Sequence, residues 1–555
     1  MIRKSIGHIM LGAVIFSCLS CVNVNNEIGG DYIPIDSRYD LFSAEIPISE
    51  IEMRMADSLS GYSNSRITIG AIKDDTFGMS TRECALTLVP LYDSLNFGKV
   101  QKINHFTMTA AFDTTSVSLE ENTRILQRVY VHELAEGIDY KKLIDANDTE
   151  GLVKYGTTSV VKGTPIIDGK SDLTLNFTDE FAWKLINGAN GLKLSEQMDD
   201  YFKAFPGIYI YTDKPETNGG RINTFDVQMN NNRTSYYLES NYGELSINSI
   251  FDEEKGAVDT TFFFYYGALE YTPLDSLVTE YSNGTFPQYA INLTKHESRK
   301  LAGKAGENIL VEGGAGLKPV VSAKELRNIT IRTIQDTLLA HNRASADYSK
   351  AVINKATLVL PFSMDTDYQL LDKTFPPRLS PTCRIWSKES SSYMGLTDSS
   401  MENENKGDIN RSTCIYSPDI TYHLQQVIMK DESDDGFKTG NYDIWMLLMS
   451  VQETTSSSSS SSSSDMSEYL QYLAYQNYYN SMYGGGSYGY GYGSGSYYSN
   501  YYSYMLAAMY ASGNNTTTTK SYELDKDSYY NASLCGPTNT ERRPTLKIVF
   551  SVPKD

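Results

Sequence analysis

The side chains that most often carry out chemistry in proteins show little organisation in this sequence. The six histidines are scattered, and no pair of them has the spacing of metal ligands. No nucleophile elbow of the Gly-x-Ser-x-Gly type can be placed between a strand and a helix, and no cysteine has the setting of a reactive thiol. Carboxylates are abundant, but no motif marks a glycosidase pair among them. We therefore expect a protein that is not an enzyme.

One segment has the residue types of a calcium loop. In DESDDG at 431–436, Asp431, Ser433 and Asp435 place side-chain oxygens at positions one, three and five, and a glycine follows at position six. Position twelve, where such loops carry a Glu, is Tyr442. The alternative is a solvated acidic turn, and no cofactor other than calcium is expected.

The three tryptophans allow two interpretations of any binding chemistry. Trp183, Trp386 and Trp445 each lie in an apolar pattern, which predicts that they pack in a core. In the alternative, Trp386 and Trp445 are exposed and stack on sugar rings.

The elements that must position these residues are predicted to be strands. The segment VINKATLVLPFSMD at 352–365 alternates large apolar residues with a second set, which is typical of a strand with one face on a core. The segment INHFTMTAAFD at 103–113 has a similar pattern. In register, the aligned pairs are Ile103 with Ile353, Asn104 with Asn354, Phe106 with Ala356, Met108 with Leu358, Ala110 with Leu360 and Phe112 with Phe362.

Further similar segments follow in the same order in both halves of the chain. The pairs are 181–186 with 422–428 as short helical patterns, 207–211 with 443–447 as strands, and 261–266 with 545–550 as closing strands. An ordered series of pairs favours an internal duplication over chance similarity. We therefore predict an all-β fold with a few short helices, made of two tandem β-sandwich domains.

The length of the chain indicates the number of domains, and its charge limits the kinds of ligand. At 555 residues the chain is too long for one core, so two domains are the natural expectation. The formal net charge of −20 argues against nucleic-acid binding, which needs a basic footprint. The predicted boundaries are 1–20 for a signal peptide, 21–40 for a tether, 41–282 for the first sandwich and 283–555 for the second, which an insert at 454–520 interrupts.

The first residues have the pattern of a bacterial export signal. Arg3 and Lys4 precede an apolar stretch at 6–16, which is too short to span a bilayer. The small residues and cysteines that follow resemble a lipoprotein lipobox, in which a cysteine is acylated and becomes the mature N-terminus. We predict Cys21 as the acylated residue, with Cys18 as the alternative. An ordinary cleaved signal peptide is the other interpretation.

The insert in the second half has a biased composition. Residues 454–464 are almost pure serine, and residues 469–510 are rich in Tyr, Gly and Ser. Such a segment cannot form an apolar core, so we expect 454–520 to be disordered. Either its tyrosines supply contact area to a partner or a glycan, or the segment is a neutral expansion.

Seven segments together resemble the Bacteroidota lipoprotein family catalogued as domain of unknown function 4270. In order they are the lipobox, IGGDYIP at 28–34, TFG at 76–78, VYVHEL at 129–134, FKAFPGIYI at 202–210, VINKATLVL at 352–360 and PPRL at 376–379. The acidic run that usually follows the acylated cysteine is replaced here by Asn residues and Glu27. Each half is also similar to the jelly-roll of carbohydrate-binding module family 96, so we expect jelly-roll-like sandwiches.

The resemblance implies an outer-membrane lipoprotein and supplies no enzymatic role. We therefore expect a non-catalytic, lipid-anchored protein on the cell surface or the periplasmic face, acting as a binding or scaffold subunit beside an outer-membrane β-barrel protein. The alternative is a surface lipoprotein that binds polysaccharide, and a hydrolase is a third class. The sequence assigns no binding residues.

Overall fold

The fold is taken from a computed structural model of the chain. It describes residues 39–57, 59–61, 66–92, 94–113, 117–118, 126–138, 145–147, 153–227, 230–231, 238–266, 290–343, 347–364, 371–386, 391–401, 404–456 and 517–554. The acylation candidates Cys18 and Cys21 and most of the insert lie outside these residues. Among the helices described, none is both long enough and apolar enough to cross a membrane.

The described chain is mostly β, which confirms the predicted fold class. Its strands are β1 Tyr39–Pro47, β2 Glu52–Met55, β3 Arg66–Asp74, β4 Gly78–Leu86, β5 Val89–Pro90, β6 Lys99–Phe112, β7 Val117–Ser118, β8 Gln127–Leu134, β9 Tyr155–Ser159, β10 Ile166–Ile167, β11 Leu173–Asn176, β12 Ile208–Thr212, β13 Gly219–Asp226, β14 Asn230–Asn231, β15 Leu238–Ser240, β16 Gly243–Ile250, β17 Ala257–Tyr265, β18 Ala290–His296, β19 Gly303–Lys304, β20 Asn308–Glu312, β21 Leu317–Val321, β22 Val352–Pro361, β23 Leu379–Trp386, β24 Ser391–Gly395, β25 Ile409–Asn410, β26 Ile415–Tyr416, β27 Ile444–Ser456, β28 Thr517–Leu524, β29 Asn531–Cys535 and β30 Thr545–Pro553.

Helices are few, as predicted, but one of them, α3, has 18 residues and is not short. They are α1 Asp179–Ala189, α2 Leu194–Ala204, α3 Ala323–Ala340, α4 Leu371–Thr374, α5 Thr421–Met429 and α6 Asp435–Thr439, with 3-10 turns at Glu297–Leu301, Tyr348–Lys350 and Thr397–Ser400. The helical patterns at 181–186 and 422–428 fall within α1 and α5. Thr178 caps α1 by accepting a hydrogen bond from the Phe181 amide, and Ser322 caps α3 in the same way.

A first core lies between two layers of one large antiparallel sheet. One layer contains β8, β12, β4, β3 and β13, the other contains β6, β16 and β17, and β13 joins them by pairing with the end of β6. Inward-facing residues such as Val131 and Ile210 from the first layer meet Phe106 and Leu245 from the second. The alternation in INHFTMTAAFD therefore does place one face of β6 on a core.

A second core lies between two further sheets. The five-stranded sheet has the order β1-β30-β22-β26-β25, and the larger one has the order β19-β2-β21-β27-β23-β24. Ala356, Leu358 and Leu360 of β22 face this core and are fully buried. These are the positions that align with Phe106, Met108 and Ala110 of β6, which are buried in the first core.

Strand pairing follows the same plan around both cores. The arrays β18-β4-β12-β8-β9 and β2-β21-β27-β23-β24 correspond, as do β11-β6-β16-β17 and β26-β22-β30-β1. Both long strands carry a β-bulge at the aligned asparagine, because the register skips Asn104 in β6 and Asn354 in β22. In this arrangement β30 corresponds to β16. The predicted pair was different, because it aligned residues 545–550 of β30 with residues 261–266 at the end of β17.

Each core is completed by strands from the other half of the chain. β1 pairs with β30, with Tyr39 opposite Pro553, and β2 pairs with β21, so residues 39–55 belong to the second core. β18 pairs with β4 and belongs to the first core, although it lies C-terminal to residue 282. The predicted domains 41–282 and 283–555 therefore assign β1, β2 and β18 to the wrong core. Any division of the chain at a single point has this fault, because strands are exchanged between the two halves.

The predicted insert also begins later and ends earlier than the sequence indicated. The second part of β27 pairs with β28 over eight residue pairs, from Met449 with Leu524 to Ser456 with Thr517. Residues 454–456 and 517–520 are therefore strand, which corrects the ends of the 454–520 segment. These residues are mostly Thr, which is common in strands, whereas composition alone indicated only the absence of a core.

Candidate functional site

The candidate site lies on the outer face of the sheet that contains β2, β21, β27 and β23. Trp445 of β27 lies in register with Val320 of β21 and with Thr382 of β23, and it points away from the second core. Its side chain is only 2% exposed because other residues of this face cover it. The indole therefore forms the floor of the site.

Cationic and aromatic side chains cover this floor. The guanidinium carbon of Arg384 lies 4.3 Å from the ring centroid of Trp386 and 5.5 Å from that of Trp445. Tyr393 of β24 meets Trp445 edge to face at 5.4 Å. The indole of Trp386 is 50% exposed. An arginine sandwiched in this way holds the exposed indole in one orientation.

Ion pairs form the rim. Glu52 and Arg54, which alternate on the outer side of β2, pair at 2.6 Å, and Arg299 pairs with Asp57 at 3.2 Å. These two ion pairs and the end of α6 line a cleft of about 540 Å³. This volume is in the range of small-molecule sites. Gly440 ends α6 in the left-handed region, with φ of 74°, and turns the chain along the cleft wall.

One buried carboxyl supports the rim from below. Burial raises the pKa of Asp443, which accepts a hydrogen bond from the amide of Ala323 at the start of α3 and lies 3.7 Å from Arg54. Arg54 therefore contacts a second acid besides Glu52, and its guanidinium carbon lies 6.0 Å from the Trp445 ring. Fixed donors and acceptors thus surround a flat aromatic surface.

This arrangement suits binding. Among the residues that the structure describes, no group of three or more His, Cys, Asp or Glu is arranged to hold a metal ion. An exposed ring face beside donors and acceptors can hold a molecule that has apolar faces and polar edges. A pyranose ring has such faces and edges.

The three tryptophans divide between the two interpretations. Trp445 is buried as predicted, but on the outer face of its sheet and not in the second core, whereas Trp386 and Trp183, which is 37% exposed on α1, are not buried. Trp386 is the last residue of β23, where it pairs with Ser391 of β24 but lies beyond the part of β23 that pairs with β27, so the sheet covers it on one side only. The apolar pattern around a tryptophan could therefore not separate the floor of the cleft from its exposed edge.

The calcium candidates Asp431, Ser433 and Asp435 form local contacts. Asp431 accepts hydrogen bonds from the amide and the hydroxyl of Ser433, which lower the pKa of Asp431. Asp435 is the first residue of α6, where a hydrogen bond from Lys438 lowers the pKa of Asp435. Their side chains thus have protein partners in the turn and the helix, and calcium binding stays a prediction.

A buried charged cluster, which was not predicted from the sequence, lies at the junction of the two cores. Arg82 of β4 contacts His296 of β18 at 3.2 Å, and His296 in turn donates to Glu312 of β20 at 2.8 Å. Ser298 also donates to Glu312. Burial raises the pKa of Glu312, but the charges and hydrogen bonds of these neighbours outweigh burial and lower it overall.

The cluster continues into the glycine-rich turn after β20. Lys318 is fully buried and donates to the carbonyl oxygens of Glu312, Gly314 and Gly316. Burial lowers the pKa of Lys318 to about 7. A Cβ at Gly316 would lie 2.5 Å from the Glu312 carboxylate, so only glycine fits there. The turn therefore holds charges between the cores, and its glycines at 313–316 were the available signal in the sequence.

Comparisons with known proteins add no relative to this description. No family model matches the chain, and no curated protein or solved structure matches it. The resemblance to the Bacteroidota lipoproteins therefore stays an expectation, and function has to be argued from the site.

Proposed function

We propose that the chain is a non-catalytic binding protein that captures a glycan in the cleft at Trp386. The observation that carries this proposal is the half-exposed indole of Trp386, braced on one side by Arg384 at 4.3 Å. The C–H face of a sugar ring packs on such an indole, and its hydroxyl groups reach the rim.

The balance of charges at the rim favours a neutral or weakly charged sugar as the ligand. Arg54 faces Glu52, and Arg299 faces Asp57, so donors and acceptors alternate around the indole without a concentration of one sign. Hydroxyl groups both donate and accept, so they match such a rim better than a strongly charged ligand does.

Affinity electrophoresis of the full-length protein tests the proposal. The gels contain mannan, xylan, laminarin or pectin, and retardation by one of them measures binding. We expect Trp386→Ala to weaken binding to the retarding polysaccharide about tenfold or more, equivalent to a loss of ~1.4 kcal/mol. Trp386→Phe, which keeps an aromatic face, should retain most of the affinity.

Trp183→Ala is the matched control, because Trp183 is also exposed but lies on α1, outside the cleft. Its affinity should equal that of the unmodified protein. Equal retardation of the Trp386→Ala and Trp183→Ala variants would contradict a role for the cleft. Migration unchanged by every polysaccharide would contradict glycan capture itself.

A second candidate function is that of a scaffold subunit beside an outer-membrane protein. The supporting observation is the β27–β28 ribbon, whose paired residues Met449–Ser456 and Thr517–Leu524 extend beyond the strands that β27 contacts in its sheet. The ribbon carries the Tyr-rich residues between its strands. Pull-down from gently solubilised membranes should then recover a stoichiometric partner, and deletion of 457–516 should release it.

Lipid anchoring through Cys21, with Cys18 as the alternative, belongs to both candidate functions. A chain tethered by acyl groups at the outer membrane would present either surface to the cell envelope. Intact-mass measurement of the native protein decides between the two cysteines, because acylation fixes the mature N-terminus. A mass that matches an unmodified, cleaved chain would rule the anchor out.

A further inference from the structure

An aromatic cluster occupies the equivalent outer face of the first core. Tyr209 of β12 lies in register with Ala85 and His132, as Trp445 of β27 does with Val320 and Thr382. Both Tyr209 and Trp445 are 2% exposed. The buried aromatic floor is thus common to the two faces.

Each of the two faces also has a tyrosine that packs on the buried aromatic floor. Tyr155 of β9 lies opposite Leu134 of β8, and Tyr393 of β24 lies opposite the corresponding residue Arg384. The Tyr155 ring stacks on Tyr209 with 4.3 Å between centroids and 11° between planes. Tyr155 is 42% exposed, so its outer ring face is open.

Further rings extend this face along β12 and β8. Tyr211 stacks between Tyr130 at 5.2 Å and His132 at 5.6 Å, and the Tyr211 hydroxyl contacts His132 at 3.2 Å. Tyr130 donates to Asp213 at 2.7 Å. The stacking fixes the rings and keeps their polar tips at the surface.

Paired charges surround the rings, as they do at the cleft. Arg128 pairs at 3.5 Å with Asp213, and Lys295 pairs at 3.0 Å with Glu83, which also accepts from Tyr209. Neither sign dominates, so the surroundings do not select a strongly charged partner. They fit a chain of hydroxyl-bearing rings, which needs flat aromatic surface and alternating donors and acceptors.

We propose that this face, centred on Tyr155 and Tyr209, is a second glycan-binding face, so that one molecule holds two segments of a polysaccharide. The proposal rests on the proposed function of the Trp386 cleft. Two linked sites bind a long polymer far more tightly than either does alone, because the second contact becomes intramolecular. An oligosaccharide too short to reach both faces gains nothing from the linkage.

The test compares three variants of the full-length protein: Tyr155→Ala, Trp386→Ala and the double variant. Affinity electrophoresis uses the same four polysaccharides, and calorimetry uses a hexasaccharide of the one that retards the unmodified protein. We expect two hexasaccharides per unmodified chain and one per chain for either single variant. Affinity for the polymer should fall about 10²-fold in each single variant, and the double variant should not bind.

Tyr92→Ala is the control, because Tyr92 is 38% exposed but lies outside both faces. Binding of one hexasaccharide by the unmodified protein, lost in Trp386→Ala and unaffected by Tyr155→Ala, would overturn the second face and leave the cleft standing. Failure of all four polysaccharides to retard the unmodified protein would overturn both proposals. Equal unfolding temperatures of the variants would exclude misfolding as the cause of any loss.

Discussion

The outer faces of the first and second cores have the same strand order but differ in their side chains. In the first, aromatic rings stack on one another, as Tyr155 does on Tyr209. In the second, a guanidinium separates the indoles of Trp386 and Trp445. The inner faces are more alike, since Met108 and Leu358 occupy equivalent buried positions. The same strand arrangement thus carries different side chains on its two exposed faces and a similar pattern on its two buried faces.

Removal of residues 39–57 is expected to have the largest effect, and it falls on the second core. This segment buries five apolar side chains there: Ile46, Ile48, Ile51, Met53 and Met55. Each contributes about 1.5–3 kcal/mol, and their sum is comparable to the stability of a whole domain. Hydrogen exchange should show loss of protection in β21, β22 and β30, with protection kept in β6 and β12. Loss confined to the first core would contradict the strand exchange.

Truncation at the two equivalent core positions should have similar effects. Met108→Ala and Leu358→Ala each create a cavity at a fully buried site, so each should lower the free energy of unfolding by about 2–5 kcal/mol. Urea denaturation of both variants and of the double variant measures this. The losses should add to within roughly 0.5 kcal/mol because the two sites share no neighbours. A strongly non-additive double variant would show that the cores are coupled.

Acid should act on the second core through His423. Burial lowers the pKa of His423 to about 4, well below that of an unfolded histidine. The native state therefore binds fewer protons than the unfolded state, and stability falls as pH drops from about 6.5 to 4, by about 3 kcal/mol in total. His423→Gln should remove this part of the pH dependence. An unchanged difference in stability between pH 7 and pH 4 would refute it.

The smallest difference concerns two lysine–aspartate pairs. Lys162 and Asp179 of the first half are both more than half exposed, so Lys162→Ala should cost about 0–1 kcal/mol. Lys355 pairs at 3.0 Å with Asp419, whose side chain is only 4% exposed. Lys355→Ala should therefore cost about 1.5–3 kcal/mol. Equal thermal unfolding of the two variants would show that burial of Asp419 does not matter.

Periodicity predicted the parts of the fold that depend on local burial. Alternation located β6 and β22, and the aligned asparagines Asn104 and Asn354 proved to be the bulged residues of both. Pairing across several hundred residues leaves no such local pattern. Nothing in the sequence of β1 therefore indicates that its partner is β30. The exchanged strands were missed for this reason.

The site was predictable only as a set of residue types. Trp386 and Trp445 were recognised as candidates, but Arg54 and Arg384 were not, because arginines on strands have no motif. Their contact with one indole arises from neighbouring strands that are distant in sequence. The charged cluster of Arg82, Glu312 and Lys318 was missed for the same reason.

The pairing of the first described strand with the last affects how the protein is made. Tyr39 lies opposite Pro553, so β1 has no partner until nearly the whole chain exists. A ribosome adds roughly 5–20 residues per second, so β1 waits on the order of half a minute or longer. During that time its exposed edge is open to wrong partners. Biosynthesis of this protein should therefore depend on a chaperone that holds the N-terminal segment until β30 arrives.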